Sequence, residues 1–342
     1  MFFLEISGFS SQTCYAHVRV FNWEINLSHI TFIHGIANKP NSEDLLHLWR
    51  SAISNSRADL NLGSFGVTTS MVYWADVMYA KPFQGADFES TQGAAAEVGD
   101  DVNPIEKHGE NGSLQFIEKL AERLGVPLEE QNEDADKPPA ADFESLKEPN
   151  FEAIPLPRFI KRRLMKTFVR DVHAYLFNVA HSPRPGETYR VRDHIRSLFV
   201  DQLKKDIEQN DEGPLVVVAH SMGTVIAYDC LKNVEACPSV DGLLTIGSPL
   251  GLSEVQNELE PGFSFNDGYA SKAGSWSNFF DRLDPVALDA NLSNDYKQNG
   301  IQIIDDQRVV NNGLWRHTAT DYLAQNDFVD LLGNMLGVEN SA

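Results

Sequence analysis

Only three cysteines occur in the chain, Cys14, Cys230 and Cys237, at spacings that suit neither a disulfide framework nor a zinc site. Their scarcity fits a reducing compartment. Basic residues are few as well, 28 Lys and Arg against 49 Asp and Glu, for a formal net charge of -21. A surface this acidic repels phosphate backbones, which excludes nucleic acid as an expected partner. Long apolar runs are missing too. No stretch approaches the ~18 consecutive apolar residues of a membrane span, and Met1-Phe2-Phe3-Leu4-Glu5 lacks the basic start of a secretory signal. The expectation is a cytoplasmic protein without a transmembrane segment, although a chain trimmed of its signal would read the same.

What is present is enough apolar material, 42% of 342 residues, for one large core with a subsidiary cap. Residues 14 to 25 alternate like an edge strand, and His29 to His34 read as a buried parallel strand. A helix capped by Ser42 follows, and then a strand over Met71 to Trp74. From Lys81 to Ser182 the alternation is interrupted by acidic, proline-bearing segments around two amphipathic stretches, Ser113 to Leu124 and Pro157 to Ala180. Long excursions inside a compact domain are usually lids or binding loops. Residues 81–182 are therefore expected to form an inserted helical cap over a core made of 1–80 and 183–342, with Phe159 and Phe168 among its pocket-facing residues. The basic run Arg158, Lys161, Arg162, Arg163, Lys166 and Arg170 reads as a partner for the acidic cap segments or a solvated helix face.

Beyond Pro185 strands and helices alternate: a helix over Thr188 to Glu208, a strand over Pro214 to Ala219 and a helix over Thr224 to Val234. Strands over Asp241 to Ile246, Trp276 to Phe280 and Ile301 to Ile304 follow, and a helix from His317 to Leu336 ends the pattern. Such alternation implies an α/β fold with a mostly parallel central sheet and helices on both faces.

Chemistry enters at Val216-Val217-Val218-Ala219-His220-Ser221-Met222-Gly223-Thr224. A β-branched strand runs directly into a serine, and a helix starts directly behind it. So tight a turn needs small residues two before and two after the serine, here Ala219 and Gly223. This segment resembles the nucleophile elbow of the α/β-hydrolase superfamily, with alanine in place of the first motif glycine. The resemblance implies a triad in the chain order serine, acid, histidine. Of ten histidines only His317 follows Ser221, which makes it the expected general base. The acid is expected in Asp281-Arg282-Leu283-Asp284-Pro285-Val286; Asp284 is similar to the acid-bearing Asp-Pro-Val turn of lipase-like members, and Asp281 is the rival, otherwise free to pair with Arg282 or cap the turn.

An oxyanion hole needs two aimed N–H donors. Met222 is expected to supply one and Gly35 or Ile36 the other, since His34-Gly35-Ile36-Ala37-Asn38 resembles the His-Gly loop of lipases and esterases. His34 and His220 read as supports of these loops. The stretch Thr245 to Gly251 is also similar to lipase-like hydrolases; Ser248 within it is a poor nucleophile because no helix starts behind it.

The function this implies is hydrolysis of small-molecule or lipid carboxylic esters, with no cofactor and no metal. Phospholipase or acyltransferase activity is the alternative, because the segment from Ser221 to Asp229 is also similar to the elbow of DDHD-type phospholipases, although their acidic metal-binding signature is not evident. Thioesterase activity uses the same triad, and a catalytically silent binding protein would keep the fold without it. Nothing in the sequence decides the oligomeric state.

Overall fold

The computed structural model describes residues 28–56, 62–84, 111–124, 158–210, 213–259, 266–313 and 315–338. The strand expected over residues 14 to 25, most of the acidic cap segments and the side chains of Arg158 to Arg163 lie outside the described residues.

Six strands form one all-parallel sheet in the order β2-β1-β5-β6-β7-β8. They are β1 His29–Ile33, β2 Thr68–Val72, β5 Leu215–His220, β6 Val240–Ile246, β7 Ala273–Asp281 and β8 Asp305–Val309. A separate antiparallel pair is made by β3 Ala180–His181 and β4 Tyr189–Arg190. The helices are α1 Ser42–Ser56, α2 Ala75–Met78, α3 Asn111–Arg123, α4 Arg158–Leu176, α5 Val191–Gln209, α6 Met222–Asn233, α7 Ser253–Leu259, α8 Leu292–Asp295, α9 Ala319–Leu323 and α10 Asn326–Met335. No helix among the described residues is long and apolar enough to cross a membrane.

Strand side chains alternate between faces, and here both faces are covered, so β1 and β5 are buried along their whole length. Ile30, Phe32, Val216, Val218, Ile246 and Phe279 pack against Trp49, Ile53, Tyr322 and Phe328 of α1, α9 and α10. Their neighbours Ile33, Val217, Ala219 and Leu243 face the opposite way, into a core with Phe168, Val172, Ile195, Phe199 and Val225 of α4, α5 and α6. Each aliphatic or aromatic side chain removed from water in these layers contributes about 1.5–3 kcal/mol. Helices α3 and α4, both from the 81–182 region, add Phe116, Leu120 and Met165 to that second core.

Several element boundaries differ from expectation for identifiable reasons. The cap of α1 is Asn41, whose Oδ1 accepts the Asp44 N–H at 3.0 Å, rather than Ser42. Tyr189 and Arg190 are extended in β4, so α5 begins at Val191. The last strand is Asp305–Val309, not Ile301 to Ile304. Ile301 stands exposed with a single isolated bridge to Gln298. As an edge strand β8 needs little apolar surface, and Asp306 instead accepts the Asn278 side-chain amide at 2.9 Å and the Leu292 and Ser293 N–H groups at the start of α8. The expected helix from His317 to Leu336 is two helices, α9 and α10, and His317 lies in the turn before them.

At the amino end of β1 a buried carboxylate, Asp206 of α5, accepts from Thr31 Oγ1 and Ser70 Oγ, each at 2.6 Å, and lies 3.2 Å from His29 Nε2. Burial works against its charge, but the hydrogen bonds from His29, Ser70 and Thr31 outweigh it and hold its carboxyl below the usual range. The stability this group supplies is therefore complete above the unfolded value of about 3.9 and is lost as pH falls through the lower folded value. Asp206→Asn is expected to cost about 3 kcal/mol at neutral pH by urea unfolding and to flatten the acid limb of the stability profile. An acid limb identical to that of the parent would remove this role.

Candidate active site

Strand β5 delivers Ser221 to the carboxyl edge of the sheet, and α6 departs at once. The backbone pays for this with φ 54° and ψ −127° at Ser221, a left-handed conformation that a non-glycine residue adopts only when its surroundings impose it. The Ser221 N–H donates to Ile246 O at 3.0 Å, and Ser221 O accepts the Thr224 N–H and hydroxyl at 2.9 and 2.7 Å. Gly223 is required by proximity: a Cβ there would lie 2.6 Å from Ile33 O and 2.7 Å from His34 O, so any side chain would push α6 off β1.

Three residues from separate turns meet at this point. His317 Nε2 lies 2.8 Å from Ser221 Oγ, and His317 Nδ1 lies 2.8 Å from Asp284 Oδ2. All three are buried. An uncompensated carboxylate at the depth of Asp284 would be costly, and its oxygens are well supplied with donors. Oδ1 accepts the Val286 N–H at 2.8 Å and the Ala287 N–H at 3.3 Å, while Oδ2 accepts the Tyr322 hydroxyl at 2.7 Å. The Tyr322 hydroxyl also accepts the Asp281 N–H at 2.9 Å, and burial followed by the nearby Asp284 charge pushes its pKa well up, keeping it a donor. Tyr322 carries no motif in the sequence, yet it joins this candidate site through its bond to Asp284 Oδ2.

Asp281 turns elsewhere. It accepts the Leu283 N–H at 2.8 Å and the Asn311 N–H at 2.6 Å, and it pairs with Arg316 at 3.2 Å rather than with Arg282. Gly247, at φ 55°, passes so close to Asp284 that a Cβ would lie 2.9 Å from its Oδ2 and 3.1 Å from His317 Nδ1. Ser248 is bonded to Thr224 Oγ1 at 2.8 Å and accepts the Leu250 N–H at 3.2 Å, with no histidine bonded to it among the described residues.

The loop after β1 faces the serine. A Cβ on Gly35 would fall 2.6 Å from Ser221 Cβ, so only glycine lets this loop approach. His34 anchors its base: Nδ1–H donates to Gly35 O at 2.8 Å, Nε2 accepts the Trp74 N–H at 3.0 Å, and the two rings stack at 4.9 Å. Acceptance at Nε2 requires a neutral imidazole, and burial followed by the Lys39 charge lowers its pKa to about 3. His220 is likewise held neutral, by burial first and then by His317 and Lys39, and Nε2–H donates to His317 O at 2.9 Å, fixing the turn that carries His317. Within the loop the Ala37 N–H is taken by Asp171 Oδ2 at 3.0 Å, whereas no described residue accepts the N–H of Gly35, Ile36 or Met222. Buried backbone donors are rarely left without a partner, so all three expected donors stay open beside Ser221.

A cavity of about 40 Å³ opens onto Ser221, His220 and His317, with Ile36 and Lys39 on the loop side and Leu164, Met165, Val286 and Trp315 as its apolar walls. Leu164 and Met165 belong to α4. Phe168, expected to face the pocket, is packed into the core instead, one helical turn away from Leu164, and the Phe159 side chain lies outside the described residues. No group of three or more metal-ligating side chains with suitable placement occurs among the described residues. No protein-family model matches this chain, and no curated protein matches it.

Proposed function

We propose that the chain is a serine hydrolase of the α/β-hydrolase fold that cleaves carboxylic esters. The observation that carries this reading is the continuous hydrogen-bond line from Ser221 Oγ through His317 to Asp284, with 2.8 Å at each step. A serine hydroxyl is a weak nucleophile until a base removes its proton, and an imidazole does so only when its far nitrogen is held as a donor. In the proposed mechanism Ser221 Oγ attacks the ester carbonyl as His317 Nε2 takes its proton, and Asp284 stabilises the imidazolium that results. The carbonyl oxygen becomes an oxyanion facing the Ile36 and Met222 N–H groups, which are in place before the charge develops and need no reorganisation. His317 then protonates the departing alkoxide, an acyl-enzyme remains on Ser221, and water attacks it by the same route in reverse.

The 81–182 region serves as the cap in this reading, because α4 supplies the Leu164 and Met165 walls above the serine. The narrow space of about 40 Å³ beside Ser221 favours short acyl chains. Hydrolysis of p-nitrophenyl esters from acetate to octanoate tests both statements: saturable turnover that falls with acyl length is expected. Leu164→Ala and Met165→Ala are expected to cost about 2–4 kcal/mol of stability while shifting the preference toward longer chains. Equal losses on every ester, in step with the fall in melting temperature, would mean that these side chains only hold α4 in place.

A further inference from the structure

The oxyanion loop does not hold its own shape. Ala37 sits at φ 69°, a left-handed conformation that a residue with a Cβ keeps only under external constraint. Hydrogen bonding within β1 ends before it, and the His34 to Trp74 contacts fix only its base. Beyond it, Asn38 donates to Lys81 O at 3.0 Å and Lys39 O accepts the Phe83 N–H at 2.8 Å, while Ala37 itself is held from α4, where Asp171 Oδ2 accepts its N–H at 3.0 Å.

Asp171 is itself buried and directed. Its Oδ1 accepts Arg170 Nε at 2.9 Å and Nη2 at 2.6 Å, which leaves Oδ2 for the loop, 3.5 Å from the Tyr79 hydroxyl. Arg170 also donates to the Tyr79 hydroxyl and lies over its ring, 5.1 Å from the centroid. A buried carboxylate with one oxygen claimed by a guanidinium presents the other in a fixed direction. The same helix carries Leu164 and Met165 into the cavity wall.

We propose that Asp171 is a positioning residue for the oxyanion hole: by fixing the Ala37 N–H it holds the preceding Ile36 N–H toward the carbonyl oxygen on Ser221, and so makes catalytic geometry depend on the seating of α4. The proposal rests on the ester-hydrolase reading for its catalytic half. Its geometric half, the clamp on Ala37, is independent of that reading.

Asp171→Asn tests it. The amide must meet two donors, Arg170 and the Ala37 N–H, with one oxygen and one NH₂, so one of the two contacts becomes donor against donor. Amide exchange at Ala37 is expected to speed up about 10-fold or more. On a short p-nitrophenyl ester kcat is expected to fall about 10- to 100-fold with KM within about 2-fold, since the misplaced donor acts on the transition state. Affinity for a short-chain trifluoromethyl ketone, which forms an oxyanion on the serine, is expected to fall in parallel. A residue with only a structural role would lower the melting temperature without separating kcat from KM.

Unchanged Ala37 exchange overturns the clamp, and faster exchange with undiminished ketone affinity overturns its catalytic role. Should Asp171→Asn not fold, Arg170→Gln, which leaves the carboxylate in place and removes its brace, is expected to show the same pair of changes at smaller size; the absence of both overturns the proposal. A parent protein that neither turns over esters nor binds the ketone would contradict the ester-hydrolase reading instead, and Ala37 exchange alone would then decide the clamp.

Discussion

Ser221→Ala and His317→Ala are each expected to lower kcat by about 10⁶-fold, and the double variant by little more than either alone. The reason for the missing additivity lies in the 2.8 Å contact between His317 Nε2 and Ser221 Oγ: without the hydroxyl the imidazole has no proton to take, and without the imidazole the hydroxyl stays protonated. Folding is expected to survive both changes. Ser221 loses one hydroxyl whose partner is His317, and the turn carrying His317 keeps the Thr318 hydroxyl bond to Trp315 O at 3.0 Å. Steady-state kinetics on a short ester, with circular dichroism on the same samples, checks the claim. Losses that multiply in the double variant would mean that the two residues do not act as one unit.

Asp284→Asn is expected to reduce kcat by about 10⁴-fold, because an amide presenting its NH₂ to His317 favours the wrong tautomer at Nε2. The environment of Asp284 sharpens this expectation. Val286 N–H and Ala287 N–H donate to Oδ1, and the Tyr322 hydroxyl donates to Oδ2, so the amide oxygen is drawn to the backbone donors and the NH₂ is left facing His317. Asp281→Asn acts differently. Its carboxylate binds the Asn311 N–H and Arg316 at the root of the loop that leads to His317, and its loss is expected to lower the melting temperature with a much smaller change in kcat. The reverse ranking would make Asp281 the acid.

The parts of this structure that were legible in the sequence are those whose surroundings act uniformly. β1, β5 and β6 are buried on both faces, so their apolar runs declare them. The tight turn at Ser221 was legible because its steric demands fall on immediate neighbours, Ala219 and Gly223, and the meeting of His317 with Ser221 because His317 alone among the histidines follows the serine. Edge and junction elements were not. β8 is polar, and its position depends on Asp306 reaching Asn278 and the start of α8. Tyr322 follows His317 by five residues in α9 and carries no motif; its role exists only because the helix brings its hydroxyl to Asp284 across 38 positions of chain. Asp171 is farther still from Ala37, 134 positions away. The apolar sides of α3 and α4 belong to the same core as α5 and α6, and Phe168 therefore faces inward rather than toward the cavity. Periodicity identifies a helix and its apolar face, but not which residue on that face meets the site.

Activation of Ser221 by His317 is open to covalent labelling by a fluorophosphonate, since only a deprotonatable serine beside an oxyanion hole reacts quickly. A single stoichiometric adduct is expected, mapped by mass spectrometry to the peptide bearing Ser221, formed rapidly in the parent protein and lost in Ser221→Ala and His317→Ala. No adduct in a folded parent protein, or an adduct mapped to another serine such as Ser248, would contradict it.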